Sequence, residues 1–314
     1  MDEVELTAAV RLAARISDTH PDYPALRIRQ ELTDALRTVF QEPIKRAGNG
    51  YGQQMLSTPI VAGVDVYRIP PRALVAGLVT VEALLPDGVT VRQMVELSQR
   101  DLSEMLGTPG DPGGFVDNAD FLRLGPSPSA SGWTLRQWYK LRASKIVAKQ
   151  TAGQITSINA ASWFFVVNSQ PLDAAGAPIG NGSTIDVVAP NGSHELHLVS
   201  VTTVGFAGNT YNLPVGTDMS MMQVGDFVRA EDESEWPTML PQEFHRTLAD
   251  AAAVVILSDI GTPDKAAAIA QKVVNDVARM REMLEPRVRD LAKPFVPRYG
   301  PLRANRRWTP PARI

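Results

Sequence analysis

The 314 residues contain no cysteine. This absence removes disulfides, cysteine-ligated zinc and thiol nucleophiles together, and it fits a reducing cytoplasm. Histidine is nearly as scarce, with only His20, His194, His197 and His245. Two of them bracket Glu195 in "HELH", but that spacing is not the HExxH zinc motif. In a strand, positions 194 and 197 fall on opposite faces. They read as ordinary strand residues, and His245 as a residue near a helix start. No apolar run approaches the roughly 18 residues of a membrane span. Asp2, Glu3 and Glu5 stand where a leader peptide would carry basic and apolar residues. Neither a GxSxG nucleophile elbow nor a dinucleotide-binding glycine pattern occurs. "GAPIGNGS" (Gly176 to Ser183) lacks the lysine of a phosphate loop and reads as a turn between strands. Asn181-Gly-Ser183 and Asn191-Gly-Ser193 match the glycosylation pattern and, without secretion, also read as turns. These absences predict no metal and no cofactor; the enzyme alternative they leave is a hydrolase using carboxylate pairs, which 34 acids make too numerous to screen by sequence.

The pattern that is present starts with helices. Over residues 3–47, Leu6, Val10, Ala13 and Ala14 share one helical face, and Ile28, Leu32, Ala35, Leu36, Val39 and Phe40 share another. Asp22 is the expected N-cap of the second helix, with Pro24 in its first turn. "RAGNGYGQQ" (Arg46 to Gln54) breaks the helical period. From Thr58 to about Val147 the signal is β: "TPIVAGVDVYRIP" as strand, Gly63 turn and strand, and a hairpin about Asp87-Gly88. A short helix "SQRDLSEML" follows, and then two strands around a Pro/Ser/Gly loop in "DFLRLGPSPSASGWTLRQWYKLRA". Leu135, Gln137, Tyr139 and Leu141 share one face of the last strand.

Residues 148–236 hold a second set of short strands: "QITSI", "SWFFVVN", "STIDVVA", "HELHLVSVTTVGF", "NTYNLPV" and "GDFVRAED". The 23 Gly and 24 Pro of the chain break it into many short elements, which points to a sandwich or small barrel. Helices return near residue 239. Phe244, Leu248, Ala251, Ala252, Val255 and Ile256 form one stripe, and "ADAAAVV" is small enough for close helix approach. Thr262 and Pro263 open a last helix striped by Ile269, Val273, Val277, Met280 and Leu284. Each terminal helical pair has a single apolar face, so the two pairs are expected to pack on one another. The expected fold is α+β: a bundle of terminal helices (1–57 and 237–286), a first β module (58–148), a second inserted β module (149–236) and an extended tail (287–314).

Two charged stretches remain. "RAEDESEWP" concentrates Glu231, Asp232, Glu233 and Glu235. It reads first as a solvated loop; the other readings are a contact with a basic neighbour, or a calcium site without EF-hand spacing. From Pro286 to Ile314 there are eight basic residues (Arg287, Arg289, Lys293, Arg298, Arg303, Arg306, Arg307 and Arg313) against Asp290. That is a net +7, so with −3 for the whole chain the first 285 residues carry −10. Pro286, Pro294, Pro297, Pro301, Pro310 and Pro311 exclude a regular helix or central strand. Phe295, Tyr299, Leu302 and Trp308 are apolar anchors, scarce in plain disordered tails. A basic disordered terminus and a nucleic-acid-binding segment are both open. The anchors and the proline spacing favour docking into another protein, since a chain that proline has already stiffened loses little entropy on binding.

Four stretches, in this order, resemble the head-to-tail adaptor (connector, or head-completion) proteins of tailed bacteriophages. They are "IRQELTDALRTVF", "TPIVAGVDVYRIPPRAL", "DFLRLGPSPSASGWTLRQWYKLRASKIV" and "LPQEFHRTLADAAAVVILSDIGTPDKAAAIAQKVVNDVARM". The second module is longer than a minimal adaptor of this kind needs. The resemblance implies a structural virion protein, a ring of about twelve copies that joins the portal to tail or nozzle proteins and lines the conduit for double-stranded DNA. It implies assembly in the host cytoplasm, a place in the neck of the virion and no membrane. It also implies portal docking through the tail, carried here by Arg287, Arg289, Phe295, Tyr299, Leu302, Arg303, Arg306, Arg307, Trp308 and Arg313. The alternatives are a tail or baseplate component with a glycan-binding β module, and a DNA-binding protein with a basic tail.

Overall fold

A computed structural model describes residues 1–48, 51–105, 108–118, 120–190 and 196–284. Six α-helices lie among them: α1 (Glu3–Ala14), α2 (Ala25–Thr38), α3 (Gln41–Arg46), α4 (Gln99–Met105), α5 (His245–Asp259) and α6 (Pro263–Leu284). A capping box starts α1: the Asp2 carboxylate accepts from the Glu5 N–H at 3.0 Å, and Glu5 accepts from the Asp2 N–H at 3.0 Å. Asp22 does not cap α2. The N-cap is Pro24, without a side-chain cap, and the helix starts at Ala25. A residue before proline is pushed out of the α basin, so Tyr23 stays outside the helix and buries its ring instead.

The terminal helices form one bundle centred on α5, which packs against α1, α2 and α6, while α3 packs on α6. The small side chains of Ala249, Ala251, Ala252 and Ala253 are buried on α5, which lets three neighbours approach at once. Val255 alone of the α5 stripe faces outward.

The first β module has two four-stranded sheets. In one, the order is Gln53–Pro59, Thr134–Leu141, Ala73–Leu84, Val91–Gln93, all antiparallel. In the other it is Val66–Arg68, Phe121–Gly125, Gly114–Asp117, Val95–Glu96. The Asp87-Gly88 hairpin forms as read, with Gly88 at φ +70 and Leu84 opposite Val91. The strands on either side of Gly63 do not pair with each other. They belong to different sheets, as do the two strands of "DFLRLGPSPSASGWTLRQWYKLRA". The first strand also starts at Gln53, inside the stretch read as a break. The two sheets share a core of Ile60, Val81, Ala83, Phe115, Leu122, Leu124 and Leu135.

The second module is one seven-stranded sheet in the order Leu196–Thr202, Thr184–Val188, Phe227–Ala230, Gly153–Asn159, Phe164–Val167, Thr210–Asn212, Gly205–Ala207. It has its own core of Ile155, Phe165, Ile185, Val187, Tyr211 and Val228. The chain crosses the foot of the bundle twice, once between the modules and once on its way to α5. The two crossings pair in parallel, Lys145 with Glu233 and Ile146 with Ser234, and the first of them rests against α2.

Candidate interaction sites

The strand Thr184–Val188 buries Ile185, Val187 and Val188, and Asp186 is buried with them. A carboxylate in such a strand demands a partner. Arg72, directly after Pro70-Pro71, supplies it: its guanidinium donates to Asp186 Oδ2 and, at 3.1 Å, to Ser144 Oγ. Asp186 also accepts the backbone N–H of Ser200 at 2.8 Å and of Asp232 at 3.0 Å. Asp232 in turn takes Arg37 of α2 on both oxygens at 2.8 Å, and Arg142 at 3.1 Å. Nearby, Arg229 donates to Glu235 at 2.8 Å, to the Thr151 hydroxyl, and to the Ala148 carbonyl at 3.0 Å.

These contacts overturn the reading of "RAEDESEWP" as a solvated loop. Asp232, Glu233 and Glu235 are buried. The reason is the double crossing, which brings this stretch under the bundle and within reach of arginines from α2 and both modules. Burial pushes the Asp186 and Glu235 carboxyls above their ordinary range, while Arg72 and Arg229 pull the other way. Arginine does not give up its proton, so neutralising either acid would leave a buried guanidinium uncompensated. The hub therefore joins the helices and both β modules through charge. The sequence reading passed over Arg72, Asp186 and Arg229. The available signal was one charge inside an apolar strand, as in "TIDVV" and "FVRA".

The remaining candidates have structural surroundings. His197 Nδ1 donates to Asp226 Oδ2 at 2.7 Å, and Asp226 also accepts from the Gln223 N–H at 2.7 Å. This fastens the strand Leu196–Thr202 to the turn before Phe227. His194 and Glu195 lie outside the described residues. His245 is fully buried at the start of α5. Its Nε2 must donate to the Leu240 carbonyl at 3.2 Å, which leaves Nδ1 to accept from the Met1 amino group at 2.9 Å. Burial, and then that positive charge, hold its pKa down to about 4. Gly176 to Ser183 is a turn, with the Gly180 N–H on Ser183 Oγ at 3.1 Å. Among the described residues, no group of three or more His, Asp or Glu side chains is placed to hold a metal ion, and no helix is long and apolar enough to cross a membrane.

An open groove of about 600 Å³ runs between α2 and residues 145–151. Its walls carry Arg27, Arg29, Arg37 and Lys145 together with Glu31 and Asp34, a mixed charge that selects neither anion nor cation. The ten tail residues assigned to portal docking, from Arg287 to Arg313, lie outside the described residues. The root of the tail is visible: the Gly48 N–H donates to the carbonyl of Leu284 at 2.9 Å. Leu284, the last described residue, is thereby tied to the turn after α3. Among known proteins, the chain matches no family model and no curated protein.

Proposed function

We propose that this chain is a head-to-tail adaptor of a tailed bacteriophage, a structural ring protein of the virion neck assembled in the host cytoplasm. The observation that carries the reading is the division of the chain. Residues 1–284 supply an α+β body with three cores, and residues 286–314 carry in their sequence a net +7, six prolines and four apolar anchors. A partner with acidic and apolar pockets suits that segment, and a ring partner would repeat such pockets around its axis. Ring symmetry turns a modest contact per tail into a multivalent one. The acidic balance of the body suits a DNA conduit, since like-charged walls do not grip the phosphate backbone.

The test is assembly with purified portal rings, followed by mass measurement. The full chain is expected to join the portal in one complex, and the chain lacking residues 287–314 is expected to remain folded and stay apart. Normal docking by the truncated chain would remove the tail from the mechanism. Tight, salt-sensitive DNA binding that needs the tail would replace the adaptor reading with a nucleic-acid one.

A further inference from the structure

The sheet Gln53–Pro59, Thr134–Leu141, Ala73–Leu84, Val91–Gln93 has two edges, and both are open among the described residues. Native sheets usually blunt an edge by shortness, charge or proline. The strand Gln53–Pro59 has seven residues, carries no charge, and keeps its one proline at the far end. Its centre exposes Met55 at 40% and Leu56 at 37%, one on each face.

The ladder determines which backbone groups are free. The Leu141 N–H donates to the Gly52 carbonyl at 2.9 Å, and the Ile60 N–H donates to the Trp133 carbonyl at 2.8 Å. In an antiparallel pair, bonded positions alternate, so even-numbered residues of this strand face their neighbour. Gln53, Met55 and Ser57 point their N–H and C=O groups away from the sheet, while Pro59 has no N–H to offer. At the opposite edge the Leu85 N–H donates to the Thr90 carbonyl and the Met94 N–H to the Val81 carbonyl, both at 2.9 Å. By the same alternation Val91 and Gln93 present their groups outward. Val91 is 44% exposed.

From these edges we infer that copies of this chain join head to tail through this sheet, the strand Gln53–Pro59 of one copy pairing with Val91–Gln93 of the next. Strand direction agrees. Each strand of the sheet is antiparallel to the one before, so Val91–Gln93 runs opposite to Gln53–Pro59. A rotated copy placed edge to edge continues the alternation. Facing also agrees: Pro59, Thr134, Leu84 and Val91 form one row, and Ser57, Arg136, Glu82 and Gln93 form another. The outward residues of both edges thus belong to the same face.

Side-chain chemistry selects the register. With Met55 opposite Val91, two apolar side chains meet and Gln53 falls opposite Gln93. Gln53 Nε2 is buried with no hydrogen-bond partner among the described residues. Turned outward, that amide would meet the Gln93 amide across the joint. This register forms two hydrogen-bonded rungs. A joint that pairs different edges is heterologous, and repetition closes a ring when the rotation allows. The inference rests only on the ring-forming part of the proposed function and not on the portal.

The chain has no cysteine, so introduced thiols are unique. Full-length Met55→Cys and Val91→Cys are treated with a short bis-maleimide, separately and mixed, with and without portal rings. A covalent one-to-one dimer from the mixture, and none from either variant alone, is expected. Met55→Pro removes an outward N–H without touching the ladder to Thr134–Leu141. Met55→Pro and Ser57→Cys in one chain, mixed with the Val91→Cys chain, should give about tenfold less dimer than Ser57→Cys mixed with the same Val91→Cys chain. Self-linking of Met55→Cys alone would mean a two-fold joint and would overturn the head-to-tail arrangement, as would the absence of any link from the mixture. Portal docking without links would sink this joint and spare the adaptor reading; links without docking would do the reverse.

Discussion

Asp186 and Arg72 face each other with no access to water, and such a pair is costly to halve. Removing one partner of a buried pair costs about 3–5 kcal/mol, because the other is left charged and unpaired. Asp186→Ala and Arg72→Ala are each expected to lower unfolding stability by about that amount in a urea titration. The Arg72→Met/Asp186→Leu double substitution is expected to cost less than either single change. His245 gives a second residue-level prediction. Its folded pKa is about 4, against an ordinary 6.5. The neutral form is favoured in the fold, so the stability it contributes is complete above pH 6.5 and is lost as pH falls toward 4, by up to about 3 kcal/mol. Urea midpoints from pH 7 to pH 4 should fall less steeply for His245→Asn than for the natural chain, once both are referred to their values at pH 7. Neither the ion pair nor the buried histidine was legible in sequence, because each depends on which distant segment lies opposite.

Periodicity made most elements legible, and their partners much less so. The stripes of α1, α2, α5 and α6 appear where the apolar residues recur, and Leu135, Gln137, Tyr139 and Leu141 are all buried on one face as their alternation implied. The two strands about Gly63 look like a hairpin in sequence because short-range signals report a turn. Which sheet each strand joins is set by distant partners, Arg123 for Val66 and Lys140 for Gln53. The small residues of α5 allow a sharper test. Ala252 is fully buried in the bundle, whereas Ala278 on α6 is exposed. Ala252→Leu should overpack the helix contacts and cost about 1–3 kcal/mol. Ala278→Leu should stay within about 0.5 kcal/mol in the same thermal or urea measurement.

At the scale of the whole molecule, the described residues 1–284 supply a helical core and two β cores. Removal of 287–314 is therefore expected to leave the melting temperature of the body unchanged within a degree or two, measured by circular dichroism. The basic composition of residues 286–314 is legible in sequence because it is local. The arginine–carboxylate hub was the least legible, because it needs three parts of the chain together. The paired crossings at Lys145–Ile146 and Glu233–Ser234 carry a mechanical consequence. The second β module hangs from two anchorages side by side, not from one pivot. A load taken up at its far end reaches the helices as leverage, with no swivel in between to dissipate it.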